Sequence, residues 1–145
     1  MLWIKRGENS AVSFTNSELM DFRGRVLVHN HPSGRSLSDI DLFLAAEKGV
    51  RRIYAVANDR SAIYAATVDA KKLDTLRNQY PIYDRMVFAK ISRMVKNGTV
   101  SVADAERWHH HVLNALLHRA RIIDYRAIGA VPQWVKEVID ELDIS

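Results

Sequence analysis

A pair of histidines at the end of an apolar run constrains this chain more than any other feature. Residues 26–41 read VLVHNHPSGRSLSDID. Side chains alternate between the two faces of an extended strand, so we expect His29 and His31 to point to the same side. Pro32 lacks the N–H that a central strand needs, which predicts that the strand ends directly after the pair. Two imidazoles and one carboxylate, with a fourth position for water, form a ligand set of a catalytic zinc ion.

The carboxylate is expected from Asp41, which follows Ser38 in a Ser-x-x-Asp pattern at the start of a helical run. One interpretation is a capping box, in which the acid accepts a hydrogen bond from the N–H of the cap residue. The other is a metal ligand, because an acid in the first turn of a helix is held near the positive end of the helix dipole. The two roles are compatible. Asp39 has the wrong spacing for the site and is interpreted as a surface acid.

This segment resembles the motif of the JAMM (JAB/MPN-type) metallopeptidases, which reads His-x-His-Pro, a short spacer and then Ser-x-x-Asp. The string HNHPSG is similar to RadC-like JAB domains and to those of phage and mobile-element proteins. The resemblance covers residues 7–66 and implies that His29, His31 and Asp41 bind Zn²⁺. It implies that the Ser38 hydroxyl helps to hold the tetrahedral intermediate. It also implies a JAMM/cytidine-deaminase-like mixed sheet with flanking helices.

The sequence departs from the family's pattern in two places. The spacer between His31 and Ser38 is one residue shorter than the commonest one. The family's general base is a Glu well upstream, whereas only 28 residues precede His29. Glu8, beside a predicted strand, is a better candidate than Glu18, which is assigned to the surface of a short helix. Without such a base the chain would be part of a longer protein, or would keep the metal site or its scaffold without peptidase activity.

The pattern of predicted secondary structure changes near residue 68. Before that point, apolar runs and turn signals predict strands and two helices. The predicted strands are 2–5, 11–14, 25–29, 52–57 and 62–68, and the predicted helices are 17–22 and 38–49. This order predicts an α/β domain over residues 1–68 whose central strand carries the histidines.

Residues 69–145 are predicted to be helical throughout. We expect helices at 69–79 and 83–97 with Pro81 between them, a third helix capped by Ser101, and a final helix that begins at Pro132. These helices are too apolar for a linker. They are interpreted as an extension that packs on the first domain or contacts a partner, either a second copy of the chain in a homodimer or another protein.

A second group of histidines, His109, His110, His111 and His118, lies in the third of these helices. Three consecutive helical positions, about 100° apart, spread over about 200°, so the triplet cannot share one metal ion. His111 and His118 lie seven positions apart on one face and could pair. Because no carboxylate stands at a matching spacing, a structural role is favoured.

The composition limits which other classes of function are possible. The chain has no cysteine, so disulfides and thiolate zinc sites are excluded and any metal must be bound by His and carboxylate. No apolar run approaches the ~20 residues that cross a bilayer, and a cytoplasmic location is the default expectation. The net charge is +4, but the basic residues are scattered, which favours a solvated surface over a phosphate-binding stripe.

Three hypotheses follow. The first is a zinc-dependent hydrolase that acts on peptide or isopeptide bonds of a peptide or protein substrate. The second is a non-catalytic JAMM-like module for protein association in a phage, mobile-element or toxin-related system. The third is a RadC-like, nucleic-acid-associated role, which only the basic pI favours.

Overall fold

The computed structural model describes residues 2–5, 26–31, 34–57 and 61–143, with the backbone alone for residues 2–5 and His29. In chain order the elements are β1 Leu2–Lys5, β2 Val26–His31, α1 Asp39–Glu47, β3 Arg52–Ala57, β4 Ala62–Thr67, a 3₁₀ turn at Ala70–Lys72, α2 Leu73–Lys96, α3 Val102–Arg119, β5 Asp124–Gly129 and α4 Gln133–Leu142. The strand predicted at 11–14, the helix predicted at 17–22 and both candidate bases, Glu8 and Glu18, lie outside the described residues.

The strands form one mixed sheet in the order β1-β2-β3-β4-β5. The first three run parallel, and β3, β4 and β5 pair antiparallel. Strand β2 therefore has a neighbour on each side, as expected for the strand that carries the histidines. The mixed α/β class is confirmed, and so is the end of β2 at His31.

One face of the sheet is covered by helices. Alternate residues of β3 and β4 are buried there, among them Ile53, Ala55 and Tyr64. Leu27 of β2 lies opposite Ile53 in the register, and His31 lies opposite Ala57. Because side chains alternate along a strand, His31 shares the face of Leu27 and is directed toward the helices. Consistent with that position, His31 is only 4% exposed.

The expected break at Pro81 is wrong, because α2 runs without interruption from Leu73 to Lys96. Proline removes one helical hydrogen bond, here the bond to the carbonyl of Arg77, and its ring is tolerated at an exposed position. The buried face of α2 continues on both sides of Pro81, with Tyr80 before it and Tyr83 after it. Burial of this continuous stripe outweighs the local cost of the proline.

The expectation that residues 69–145 are helical throughout is wrong at β5. This strand pairs with β4, from Ala62 opposite Gly129 to Thr67 opposite Asp124. Tyr125 is its one buried residue, so the segment lacks the apolar alternation that predicts a strand. The cap at Ser101 is confirmed, and the final helix begins at Gln133, directly after Pro132. Among the described helices, none carries an apolar stretch long enough to cross a membrane.

Candidate metal site at the end of strand β2

The ring of His31 lies between the loop that follows β2 and the first turn of α1. Its Nδ1 is 2.9 Å from the carbonyl oxygen of Arg35, and its Nε2 is 3.5 Å from Oδ2 of Asp41. The chain turns back at Gly34, whose N–H donates to the carbonyl of His31 at 2.9 Å and whose φ is 71°. A positive φ favours glycine, and a Cβ there would meet the Arg107 guanidinium at 3.3 Å.

The contact with Arg35 fixes which nitrogen of His31 carries a proton. A carbonyl oxygen can only accept, so Nδ1 of His31 must be the donor. In the neutral ring, Nε2 then presents a lone pair toward the carboxylate of Asp41. Metal-binding histidines commonly donate their other N–H to a backbone carbonyl in this way, which fixes the tautomer and the ring orientation.

The separation of the two side chains also fits a bound cation. A charge-assisted hydrogen bond between an imidazolium and a carboxylate would bring the two atoms to about 2.7–2.9 Å. Two ligands about 2.1 Å from a tetrahedral zinc ion lie roughly 3.4 Å apart. The Nε2–Oδ2 distance of 3.5 Å agrees with the second value. The separation of these two donors is compatible with a shared metal ion, and equally with a capping carboxylate beside a histidine.

The capping box predicted for Ser38 and Asp41 is confirmed. The N–H of Ser38 donates to Oδ2 of Asp41 at 2.9 Å, and the Ser38 Oγ accepts from the N–H of Asp41 at 3.3 Å. Asp41 is 8% exposed. Its Oδ2 thus lies between the helix cap and the ring of His31, and the capping bond holds the carboxylate in that position.

The third expected ligand, His29, lies two residues before His31 and opposite Ala55 in the register. Its side chain lies outside the described residues. Among the side chains that the structure describes, no group of three or more His, Cys, Asp or Glu residues converges on one point. The described part of the site therefore consists of His31, Asp41 and Ser38.

A buried polar network supports the loop between β2 and α1. The hydroxyl of Tyr125 lies 2.7 Å from Ser36 Oγ and 2.8 Å from Nδ1 of His111. The side-chain amide of Asn114 donates to Ser36 Oγ at 3.2 Å and to the carbonyl of Leu37 at 2.9 Å. These contacts tie the residues just before Ser38 to β5 and α3.

Tyr64 adds a further anchor to the same loop, because its hydroxyl donates to the carbonyl of Gly34 at 3.1 Å. Burial lowers the pKa of His111 to about 4. A neutral His111 can accept the Tyr125 proton, and burial also raises the pKa of Tyr125. The network is thus uncharged near neutral pH and places no ion beside the metal-site loop.

The sequence analysis did not identify Ser36, Asn114 and Tyr125 as part of the site. A local signal existed for one of them. Asn114 follows Val112 and Leu113 in the apolar stripe of α3, and a polar residue within such a stripe is typically buried with hydrogen-bond partners. Tyr125 had no such signal, since its partners are distant in the chain.

The histidines of α3 contact different partners. His109 Nε2 lies 2.6 Å from Asp84 Oδ1, whereas His111 contacts Tyr125. His118 Nδ1 accepts from the N–H of Tyr125 at 3.1 Å. Burial is the main cause that lowers the pKa of His110. These rings thus have separate hydrogen-bond partners among the described residues, and their structural role stays a prediction.

No family model matches the chain, and no curated protein or solved structure is similar enough to count as a match.

Proposed function

We propose that this chain is a zinc-dependent hydrolase of the JAMM type that cleaves peptide or isopeptide bonds. The observation that carries the proposal is the arrangement of His31, whose Nδ1 donates to the Arg35 carbonyl while Nε2 lies 3.5 Å from Asp41. A mixed sheet whose second strand ends beside the start of a helix supports the finer proposal of a JAMM-like fold.

In this proposal His29, His31 and Asp41 hold the metal. A bound zinc ion would activate a water molecule and polarise the scissile carbonyl. The N–H of Ser38 orients the carboxylate of Asp41, which lies at the positive end of the α1 dipole. Because the Ser38 Oγ accepts from the N–H of Asp41, its own O–H can donate to an oxygen of the substrate.

The proton of the attacking water requires a base. The sequence offers Glu8 as a better candidate than Glu18 but does not identify the base, and removal of a general base typically lowers the rate by about 10²–10⁴. If Glu8 is not the general base, the protein would bind zinc but would hydrolyse its substrate only slowly. Metal binding and activity must therefore be measured separately.

A second candidate function is a non-catalytic JAMM-like scaffold for protein association. The capping box favours it, because the hydrogen bonds between Ser38 and Asp41 account for the position of the carboxylate without a metal. Under this alternative His31 is a structural residue that anchors the loop through the Arg35 carbonyl.

The experiment is an assay of the zinc-loaded protein on fluorogenic peptides and on lysine-isopeptide-linked substrates. We expect turnover that a chelator abolishes and zinc restores, and a loss of at least about 10²-fold in His31→Ala. His118→Ala is the matched control, since His118 is half exposed and its Nδ1 contacts Asp124 and the N–H of Tyr125. Turnover that survives both the chelator and His31→Ala would contradict the proposal.

A further inference from the structure

A cavity of about 590 Å³ opens between the second half of α2 and the first half of α3. Its volume lies within the range of about 300–1,000 Å³ that is usual for ligand sites. The apolar part of the wall comes from both helices and consists of Phe88, Ile91, Val95, Val102 and Ala105. The cavity is therefore an open groove between the two helices with a mostly apolar lining.

Two residues of this wall are unusually exposed for their type. Phe88 is 65% exposed and Val102 is 60% exposed, although most large apolar residues of the described chain are buried. They come from different helices and line the same cavity. Exposed apolar side chains that converge on one recess mark a contact surface rather than scattered surface residues.

The polar part of the wall carries more positive than negative charge. Arg35 and Lys96 contribute two cations, and Glu106 contributes one acid, whose carboxylate is 3.1 Å from the Arg35 guanidinium. The Arg35–Glu106 pair is solvent-exposed and thus weak, so a carboxylate of a ligand can compete for the arginine. His110 lies in the same wall and offers a hydrogen-bonding group, and burial lowers the pKa of its ring.

The cavity adjoins the candidate metal site through the loop after β2. The side chain of Arg35 lines the cavity, while its carbonyl oxygen accepts the Nδ1–H bond of His31. The cavity and the candidate metal site therefore share the loop that contains Arg35.

We propose that this cavity binds an apolar side chain of a peptide that carries an acidic residue next to it. The apolar side chain packs between Phe88 and Val102, and the neighbouring carboxylate interacts with Lys96 and Arg35. That this peptide is the substrate rests on the proposed hydrolase function, whereas the binding itself requires no metal.

The test is fluorescence anisotropy of labelled short peptides with the full chain in the presence of a chelator. Three peptides of equal length carry Leu followed by Glu, Leu followed by Lys, or Ser followed by Glu. We expect the first to bind best. Loss of the leucine should weaken binding at least about ten-fold, because an apolar side chain no longer leaves water. Reversal of the charge should weaken binding about two- to five-fold at low salt and less at high salt.

Two variants locate the binding. Phe88→Ser should reduce the affinity of both leucine peptides, and Lys96→Glu should remove the preference for Glu over Lys. Ile82→Ser is the matched control for the first, because Ile82 is an exposed residue of α2 outside the cavity wall. Lys136→Glu, at an exposed position of α4, is the control for the second. All four substituted positions are solvent-exposed, so the fold should persist in each variant.

The outcomes separate this inference from the proposed function. Equal binding of the three peptides, or binding that neither Phe88→Ser nor Lys96→Glu alters, overturns the inference even if the protein hydrolyses peptides. Selective binding by a protein that never shows turnover supports peptide binding in the cavity. It contradicts only the hydrolase proposal.

Discussion

The two ring nitrogens of His31 have different neighbours, and this difference makes the residue a candidate ligand. Nδ1 donates to a backbone carbonyl, and Nε2 lies opposite an acid that a helix cap already orients. His31, Asp41 and Ser38 come from one short segment, so their spacing alone predicted that they would meet. Ser36, His111 and Tyr125 are far apart in the chain, and no local pattern joins them.

Tyr125→Phe should destabilise the fold by about 1–3 kcal/mol, because it leaves the buried polar atoms of Ser36 and His111 with one partner fewer. Urea unfolding at neutral pH measures the change. Tyr54→Phe is the matched control, since its hydroxyl accepts from Arg52 at an exposed position, and we expect a change within about 0.5 kcal/mol. Equal effects of the two substitutions would show that the buried network contributes nothing.

His111 should make stability depend on pH. Burial lowers its pKa from the ordinary value of 6.5 to about 4, so between these values the unfolded chain binds a proton that the folded chain does not. The contribution is fully present above pH 6.5 and is lost as the pH falls to about 4, by an amount on the order of 3 kcal/mol.

The measurement for His111 is urea unfolding at several pH values between about 4.5 and 7. His111→Gln should lose less stability on acidification than the unaltered chain. His110, whose pKa is also lowered mainly by burial, stays in both proteins and contributes in the same direction. Parallel stability curves for the two proteins would refute the assignment.

At the scale of elements, tertiary packing decides where local signals conflict. The proline in α2 predicted a break, yet Leu76, Tyr80, Tyr83 and Val87 form one buried stripe that spans it. Strand β5 shows the opposite case, in which a polar segment becomes a strand because β4 offers it a partner. Elements with their own periodicity and caps, such as α1 and α3, agreed with the sequence prediction.

Pro81→Ala should stabilise the protein, by about 1–3 kcal/mol, because it restores a helical N–H in the interior of α2 and removes the ring clash. The proline is exposed, so no packing is lost. Thermal and urea unfolding measure the effect. Asn78→Ala, at another exposed position of α2, serves as control and should gain no more than about 0.7 kcal/mol. A destabilised Pro81→Ala protein would mean that α2 needs the proline for its shape.

At the scale of the whole molecule, the two halves of the sequence share one sheet and one core. Strand β5, from the second half, completes the sheet at β4, and the buried cluster unites Leu42 and Ile53 with Leu113 and Leu117. Asn114 of α3, also from the second half, holds the loop between β2 and α1. The predicted division at residue 68 stays a prediction about domains, and a fragment can test it.

A fragment of residues 1–68 should not fold on its own. It would leave Leu42, Ile53 and Tyr64 without the helices that cover them, and a chain of this length with an open core has little surface to bury. Circular dichroism and urea unfolding of the fragment, beside the full chain, measure this. A cooperative unfolding transition in the fragment would show an independent domain that ends at residue 68.

The central claim is that the carboxylate of Asp41 serves as a metal ligand as well as a helix cap, and Asp41→Asn separates the two roles. The amide oxygen can still accept from the N–H of Ser38, but it is a poor ligand for zinc. Ser38→Ala does the reverse, since it removes a cap worth about 1 kcal/mol and leaves the carboxylate in place.

The measurement is calorimetric titration of the metal-free protein with zinc, for the unaltered chain and both variants. We predict about one zinc per chain and at least a ten-fold weaker zinc affinity in Asp41→Asn. Ser38→Ala should lose less zinc affinity than Asp41→Asn but more stability, because it removes the helix cap. No zinc binding by the unaltered chain, or the same affinity in Asp41→Asn, would contradict the account and leave the capping box as the sole role of this residue.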